Sequence, residues 1–196
     1  SYFQFFISYG FDISAVKDIA EARDKPRQVS EIVSTVYVVK ILLFIVSILI
    51  YVSIPLFLPQ ARENLFLFYI TFSVCIYDLL LPLWYYQAVE KMGYLTLTQS
   101  GSLILYTILI FVFFKNPEQA YFIPLFQSLS YLVFGLYTFI LMLTKEKVRF
   151  IMPSRKAVFA QIKYSWAFFL SRVASLFNVN IANIISGLFL SMESVA

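Results

Sequence analysis

Long apolar runs constrain this chain more than any other feature of its sequence. A helix needs roughly 20 apolar residues to cross about 30 Å of hydrocarbon. Five segments reach that length, at 32–54, 64–87, 94–114, 119–143 and 164–190, and 1–15 resembles the end of another span. Of the 196 residues, 61% are hydrophobic and 13% are charged, whereas soluble domains carry about a quarter charged residues. The sequence therefore predicts an all-α integral membrane protein, a polytopic helical bundle.

The connections between these runs predict an orientation. Eleven of the fifteen Lys and Arg residues lie in the first, third and fifth connections, at 17–31, 88–93 and 144–163. Only Arg62 and Lys115 lie in the second and fourth. Because basic connections stay on the cytoplasmic side, the odd-numbered connections are predicted to be cytoplasmic. The same distribution explains the net charge of +4 without a nucleic-acid partner.

Composition excludes several kinds of site. The chain has no histidine and a single cysteine, Cys75, so neither a zinc site nor an internal disulfide is expected. With five glycines and no phosphate-cradling glycine loop, we expect no cofactor, no metal and no catalytic residue. The chain starts without methionine inside an apolar stretch and stops just after another, which indicates a piece of a longer protein.

Three charged residues interrupt the membrane-length runs. Counted from the predicted cytoplasmic ends, Lys40, Asp78 and Arg172 each lie about eight or nine residues deep, or roughly 12–13 Å at 1.5 Å per residue. An ionised group at that depth is costly unless it faces protein or water. The sequence thus predicts a layer of charge in the cytoplasmic half of the membrane.

Helical spacing extends each charge into a polar stripe. Lys40 shares a face with Tyr37, Ser47 and Tyr51, and Asp78 shares one with Thr71 and Cys75. The most polar stripe surrounds Arg172 and comprises Ser165, Ser175, Asn183 and Ser186, flanked by Asn178 and Asn180. We take Arg172, Lys40, Asp78, Asn183, Asn178 and Ser175 as candidate substrate-binding residues.

Structural explanations compete with this interpretation. Lys40 and Asp78 are expected to pair, and such a pair could serve only to hold two helices together. With Asp78 taken by Lys40, no acidic residue remains for Arg172 at its estimated level, so we expect its counter-ion in a missing segment or in the cargo. A guanidinium in a cavity suits a phosphate, which it binds bidentately. Trp84, Tyr85 and Tyr86 near a span end are predicted to form an interfacial aromatic belt.

Three segments carry a resemblance to a known family. They are the charged stretch from Tyr9-Gly10-Phe11 to Asp24, the turn Pro82–Met92, which resembles a "W-x-x-Q-G-x-E-K-M" motif, and the segment Asn183–Ser191. Together they resemble Wzx-type O-antigen flippases of the polysaccharide transporter group, which is related to multidrug and lipid II exporters. Ala88 stands where this family is expected to have glycine.

The resemblance implies a fragment of a two-lobe, pseudo-symmetric transporter of about twelve transmembrane helices. Residues 1–143 would be part of the first lobe (spans two to six), 144–163 a basic cytoplasmic linker between lobes, and 164–196 the first helix of the second lobe. Such proteins move undecaprenyl-diphosphate-linked oligosaccharides across the bacterial inner membrane. The implied partners are the lipid-linked oligosaccharide, membrane lipids, and a polysaccharide polymerase and chain-length regulator. Lys40 and Arg172 would supply the basic residues that such flippases place in the cavity.

Three other classes remain open at this point, and the least specific of them is a membrane scaffold protein. A membrane-embedded O-antigen polymerase or ligase would normally depend on large periplasmic loops, but the predicted ones, 55–63 and 115–118, are short. A drug or cation antiporter of the same superfamily would usually show acidic cavity residues without the basic ones.

Overall fold

The computed structural model describes residues 2–116 and 122–189, without the side chains of Gln60, Glu63 and 177–189. The described residues form helices and no strands, which confirms the predicted all-α membrane fold. The helices are α1 (Tyr2–Ser8), α2 (Phe11–Glu21), α3 (Pro26–Phe57), α4 (Pro59–Glu63), α5 (Leu65–Phe72), α6 (Val74–Leu80), α7 (Leu83–Ala88), α8 (Met92–Phe113), α9 (Ile123–Thr144) and α10 (Arg155–Phe189).

Four helical segments of the described chain are long and apolar enough to cross a membrane. They are α3, the broken segment Leu65–Ala88 formed by α5 to α7, α8 and α9. Their outward faces carry large apolar side chains, such as Phe57 and Phe111, that are at least 80% exposed, as expected for surfaces that meet lipid. Residues 164–189 of the predicted span 164–190 belong to α10, whose side chains from 177 onward lie outside the described residues, as does residue 190.

The predicted end of a span at 1–15 is two helices rather than one. Tyr9 (φ 45°) and Gly10 (φ 75°) are both left-handed, a conformation that stops a right-handed helix and that glycine adopts most readily. The break ends α1 at Ser8 and starts α2 at Phe11. It places Asp12 on the first turn of a new helix.

The three basic connections lie at one end of the bundle. Arg23 Nη1 donates to Glu90 Oε2 at 3.0 Å, which joins the first connection to the third. Lys91 pairs with Glu146, which joins the third to the fifth. Glu90 and Lys91 therefore hold these connections together. This arrangement fits spans that run alternately up and down.

The fifth connection is an ordered strap over residues 145–154. The Arg149 amide donates to Ser30 Oγ at 3.2 Å, and the Ile151 amide donates to Ser34 Oγ at 2.9 Å. Val148 is 5% exposed and belongs to the core. The predicted linker 144–163 thus divides into this strap, fixed on α3, and the first turns of α10.

The start of α10 has a local cause. Ser154 follows Pro153, and its side-chain oxygen accepts a hydrogen bond from the Ala157 amide at 3.2 Å. This is the geometry of a serine N-cap, which satisfies one of the unpaired amides of a helix start. The cap begins the helix at Arg155, well before the apolar run starts.

The core lies at the same end of the bundle as the basic connections. It joins α2, the first half of α3, α7 and the strap through residues such as Ile19, Val36, Tyr86 and Val148. Trp84, Tyr85 and Tyr86 are between 0% and 5% exposed. The predicted aromatic belt is therefore wrong, because the break before α7 turns these three rings inward against α2 and α3.

Candidate functional site

A cavity of about 520 Å³ opens where α2, α3, α6, α7, α8 and α10 meet. Lys40, Asp78 and Arg172, the three charges predicted to share one layer, all line it. A neighbouring cavity of about 500 Å³ shares Ser8, Asp78 and Arg172 with the first. The structure thus gathers charges that lie far apart in the sequence around one cavity.

Pro82 explains the position of Lys40. In a continuous helix the Asp78 carbonyl would accept the amide of residue 82, but proline has no N–H. The helix stops at Leu80, and Lys40 Nζ donates to the freed Asp78 carbonyl instead. Three residues earlier on the same face, Tyr37 Oη donates to the Leu80 carbonyl at 3.4 Å. Lys40 therefore caps a broken helix.

The expected charge pair between Lys40 and Asp78 takes a different form. Lys40, only 3% exposed, contacts the Asp78 backbone, and within the described chain no ion pair joins the two side chains. Asp78 Oδ2 is buried without a hydrogen-bond partner. The Asp78 side chain thus adds an acidic group to the cavity wall.

Further along α3, the same polar stripe holds the broken span in a second place. Tyr51 Oη donates to the Phe68 carbonyl at 2.6 Å, and its ring stacks on Phe68 with centroids 4.2 Å apart. Ser47, which lies between Lys40 and Tyr51 on the stripe, is fully buried and its hydroxyl has no partner. The stripe predicted around Lys40 therefore mainly satisfies backbone carbonyls of α5 and α6.

Arg172 has an acidic partner, contrary to the sequence-based expectation. Its Nη2 pairs with Asp12 Oδ2 across α2 and α10, and its guanidinium lies 5.9 Å from the centre of the Phe5 ring. The expectation failed because Asp12 was placed in the end of a continuous span, whereas the break at Gly10 turns it toward α10. The signal was present in the Tyr9-Gly10 pair that precedes it.

The Arg172 side chain is nevertheless accessible from the cavity. It is 43% exposed, and the Asp12 side chain is 28% exposed. A guanidinium has five N–H donors, and the pair with Asp12 engages Nη2. The second oxygen of Asp12 is buried without a partner. The cavity wall thus carries two acids and two bases rather than a purely basic surface.

The remaining candidate residues are less informative. Ser175 is exposed, and its hydroxyl donates to the Ser171 carbonyl of its own helix at 3.0 Å. Asn178 and Asn183 have side chains outside the described residues. Sequence analysis missed Gln87, Gln99 and Trp84, which line the cavity and bring hydrogen-bonding groups to it. Within the described ranges, no cluster of His, Cys, Asp and Glu could hold a metal ion.

Comparison with known proteins identifies the family. The family described as "Polysaccharide biosynthesis protein" matches residues 1–196. The chain is 28% identical over 135 residues to the "Putative O-antigen transporter" of Escherichia coli (strain K12), covering 69% of this chain and 32% of that protein. It is 24% identical over 186 residues to the protein of the same description from Shigella dysenteriae, covering 92% of this chain and 46% of that protein.

The chain spans between about a third and about half the length of these two relatives. No solved structure shows a significant match. Four membrane-length helices and a family match over the full chain lead to one conclusion. The chain is a multi-pass membrane protein that belongs to the polysaccharide biosynthesis protein family.

Proposed function

We propose that this chain forms part of a flippase for lipid-linked oligosaccharides. Its cargo would be an undecaprenyl-diphosphate-linked O-antigen or related unit, moved by alternating access from the cytoplasmic to the periplasmic leaflet of the bacterial inner membrane. The names of the relatives and the family match support a transport role in polysaccharide export. The observation that carries the proposal is the cavity in which Arg172 remains partly exposed.

Each part of the cargo finds matching chemistry in the cavity. Arg172 offers a planar fork of donors, which suits the oxygens of a diphosphate. Gln87 and Gln99 line the same space and offer amide groups to sugar hydroxyls. The lipid tail would stay in the membrane beside the exposed apolar helix faces. Membrane lipids, a polysaccharide polymerase and a chain-length regulator are the further partners that this role implies.

Arg172→Ala tests the proposal in the full-length protein. We expect loss of surface polysaccharide with the protein still present in the membrane, because the phosphate loses its bidentate partner. Arg172→Lys should keep partial function, since it retains the charge but not the fork. Arg149→Ala is the matched control, because this exposed arginine lies on the strap away from the cavity.

A second variant separates binding from folding. Removing Arg172 alone leaves Asp12 without its partner, which can destabilise the protein. The double change Asp12→Asn with Arg172→Gln removes both charges together. If this variant accumulates normally and still exports polysaccharide at the parental level, the phosphate site is not at Arg172 and the proposal fails.

A further inference from the structure

We infer that the contact between α2 and α10 is a gate, latched by Asp12 and Arg172, which the anionic headgroup of the cargo releases. The inference rests on the proposed function. The polar seam, as we call this contact, comprises Asp12, Ser14 and Asp18 of α2 with Gln161, Ser165 and Arg172 of α10. The geometry points to a surface that is built to separate.

Polar groups meet over the middle and the basic end of the seam. Ser14 Oγ and Ser165 Oγ are 2.8 Å apart, and both residues are fully buried. One turn toward the basic end, Gln161 Nε2 donates to Asp18 Oδ2 at 3.5 Å and to Ser165 Oγ at 3.4 Å. Such hydrogen bonds contribute only about 0.5–1.5 kcal/mol each, because water can replace them when a surface opens. A seam of hydroxyls and amides therefore separates at lower cost than an apolar interface.

The two sides of the seam are anchored differently. On α2, Phe11, Ala15 and Ile19 are at most 1% exposed and fix this helix in the core. The strap that precedes α10 stays on α3 through the Arg149 and Ile151 amides. At the end of the strap, Met152 is 92% exposed and Pro153 follows it. Movement of α10 about 152–154 would open the seam while α2 and the strap stay in place. Val158, Ile162 and Phe169 of α10 pack against the edge of the core and would move with the helix.

The far end of the seam, beside the cavity, is tight and partly aromatic. A Cβ on Gly10 would lie 2.9 Å from Phe168 Cβ and 3.0 Å from the Phe169 amide nitrogen. The Tyr9 and Phe169 rings stack with centroids 5.0 Å apart. This close approach brings the start of α2 and the Arg172 turn of α10 together at the cavity wall. The latch thus lies where an arriving headgroup meets the seam.

Cargo binding is coupled to opening of the gate because the headgroup competes with Asp12 for Arg172. Arg172 pairs with one carboxylate oxygen of Asp12, whereas a diphosphate brings more charge and several acceptor oxygens to the same guanidinium. When the headgroup takes Arg172, Asp12 loses its partner and the link across the seam is lost. Asp12 is therefore a positioning residue, which holds Arg172 at the cavity until cargo replaces it.

Disulfide cross-linking tests the gate. In a Cys75→Ser background, Ser14→Cys with Ser165→Cys places two thiols across the seam, at positions whose hydroxyl oxygens are 2.8 Å apart. The matched control is Ser73→Cys with Ser128→Cys, whose hydroxyl oxygens are 2.6 Å apart between the α5–α6 junction and α9. In everted vesicles carrying the full-length protein, oxidation should reduce translocation of a radiolabelled lipid-linked oligosaccharide at least tenfold for the seam pair. Dithiothreitol should restore it, and the control pair should transport in both states.

Two results would overturn the gate. One is full transport with the seam pair cross-linked, and the other is failure of that pair to cross-link while the control pair does so. Absence of transport in the reduced parent, with the protein present in the membrane, would instead reject the proposed function.

The latch has its own readout that needs no transport. Asp12→Asn in the seam-pair background should slow disulfide formation several-fold, because the helices separate more often without the ion pair. The same substitution should not change the rate for the control pair. An unchanged rate at the seam would show that Asp12 does not hold it closed, even if the gate itself stands.

Discussion

At the residue scale, Pro82 determines what Lys40 does. A buried ammonium group usually requires a carboxylate, but a helix that loses an amide also exposes a carbonyl that needs a donor. Lys40 satisfies the carbonyl freed by Pro82, and Tyr37 satisfies the Leu80 carbonyl two residues further along the chain. One face of α3 thereby stabilises the break between α6 and α7. The charge on Lys40 is largely committed to the fold rather than to cargo.

This role predicts how Lys40 and Asp78 respond to substitution. Lys40→Met keeps the apolar stem but leaves a buried carbonyl without a donor, which should cost about 1.5–3 kcal/mol and lower the protein level in membranes. Asp78→Asn keeps the backbone carbonyl and should be tolerated. Thermal unfolding in detergent and quantitative immunoblotting measure both effects.

Exchanging the two residues separates the backbone contact from an ordinary charge pair. Lys40→Asp combined with Asp78→Lys preserves a pair of opposite charges, but a carboxylate cannot donate to the carbonyl of residue 78. Stability should therefore stay low in the exchanged protein. Recovery to the parental level would show that the side chains pair directly.

Asp18 gives a second prediction, on pH. Burial beside α10 raises the pKa of Asp18, Gln161 opposes this by donating to it, Glu21 adds to it and Lys17 slightly offsets it. A carboxyl whose pKa is higher in the folded state favours folding when protonated, so its stabilising contribution is lost as pH rises from its unfolded to its folded pKa. In the parent protein, the melting temperature should therefore fall as pH rises just above the usual titration range of aspartate. Asp18→Asn removes the titrating group, so this fall should be smaller in the variant. The same exchange at exposed Asp24 is the control, and an equal flattening there would contradict the assignment.

At the element scale, two breaks create the site. The left-handed pair Tyr9-Gly10 separates α1 from α2, and Pro82 separates α6 from α7. The first turns Asp12 toward Arg172, and the second turns Trp84 inward to the cavity wall. Straight helices over the same sequence would place neither residue there.

Gly10 should be the most sensitive glycine among those whose surroundings are described. Gly10→Ala must place a side chain at φ 75° and against the backbone of Phe169. The left-handed conformation alone costs roughly 1–2 kcal/mol, and the collision pushes α10 away. Gly93→Ala is the matched control, because nothing lies within 4 Å of its added Cβ. We expect a lower melting temperature and slower cross-linking of the seam pair only for Gly10→Ala.

How much of the structure can be predicted from the sequence depends on how far apart along the chain the interacting residues lie. The lengths of the apolar runs predicted most of the ends of α3, α8 and α9 to within a few residues. This succeeded because the thickness of the hydrocarbon layer constrains each segment independently. For the same reason, the equal depths estimated for Lys40, Asp78 and Arg172 indicated that the three side chains share one space. The partner of Arg172 was missed because it depends on a single backbone break at Gly10, 162 residues earlier in the chain. The strap was missed because it is held by hydrogen bonds from its backbone amides to serine hydroxyls on α3. Such contacts leave no periodic pattern in the sequence.

At the scale of the whole molecule, the ion pairs among the connections test orientation. Arg23, Glu90, Lys91 and Glu146 hold three basic connections at one end of the bundle, so these connections should share one side of the membrane. The basic bias predicts that this side is cytoplasmic.

In a Cys75→Ser background, Lys25→Cys and Lys156→Cys place thiols at exposed positions near that end, and Asn64→Cys places one at the opposite end. An impermeant maleimide added to intact cells should label only the protein carrying Asn64→Cys, and permeabilisation should allow all three to react. Labelling at 25 or 156 before permeabilisation would invert the topology, and with it the leaflet from which the proposed cargo would reach Arg172.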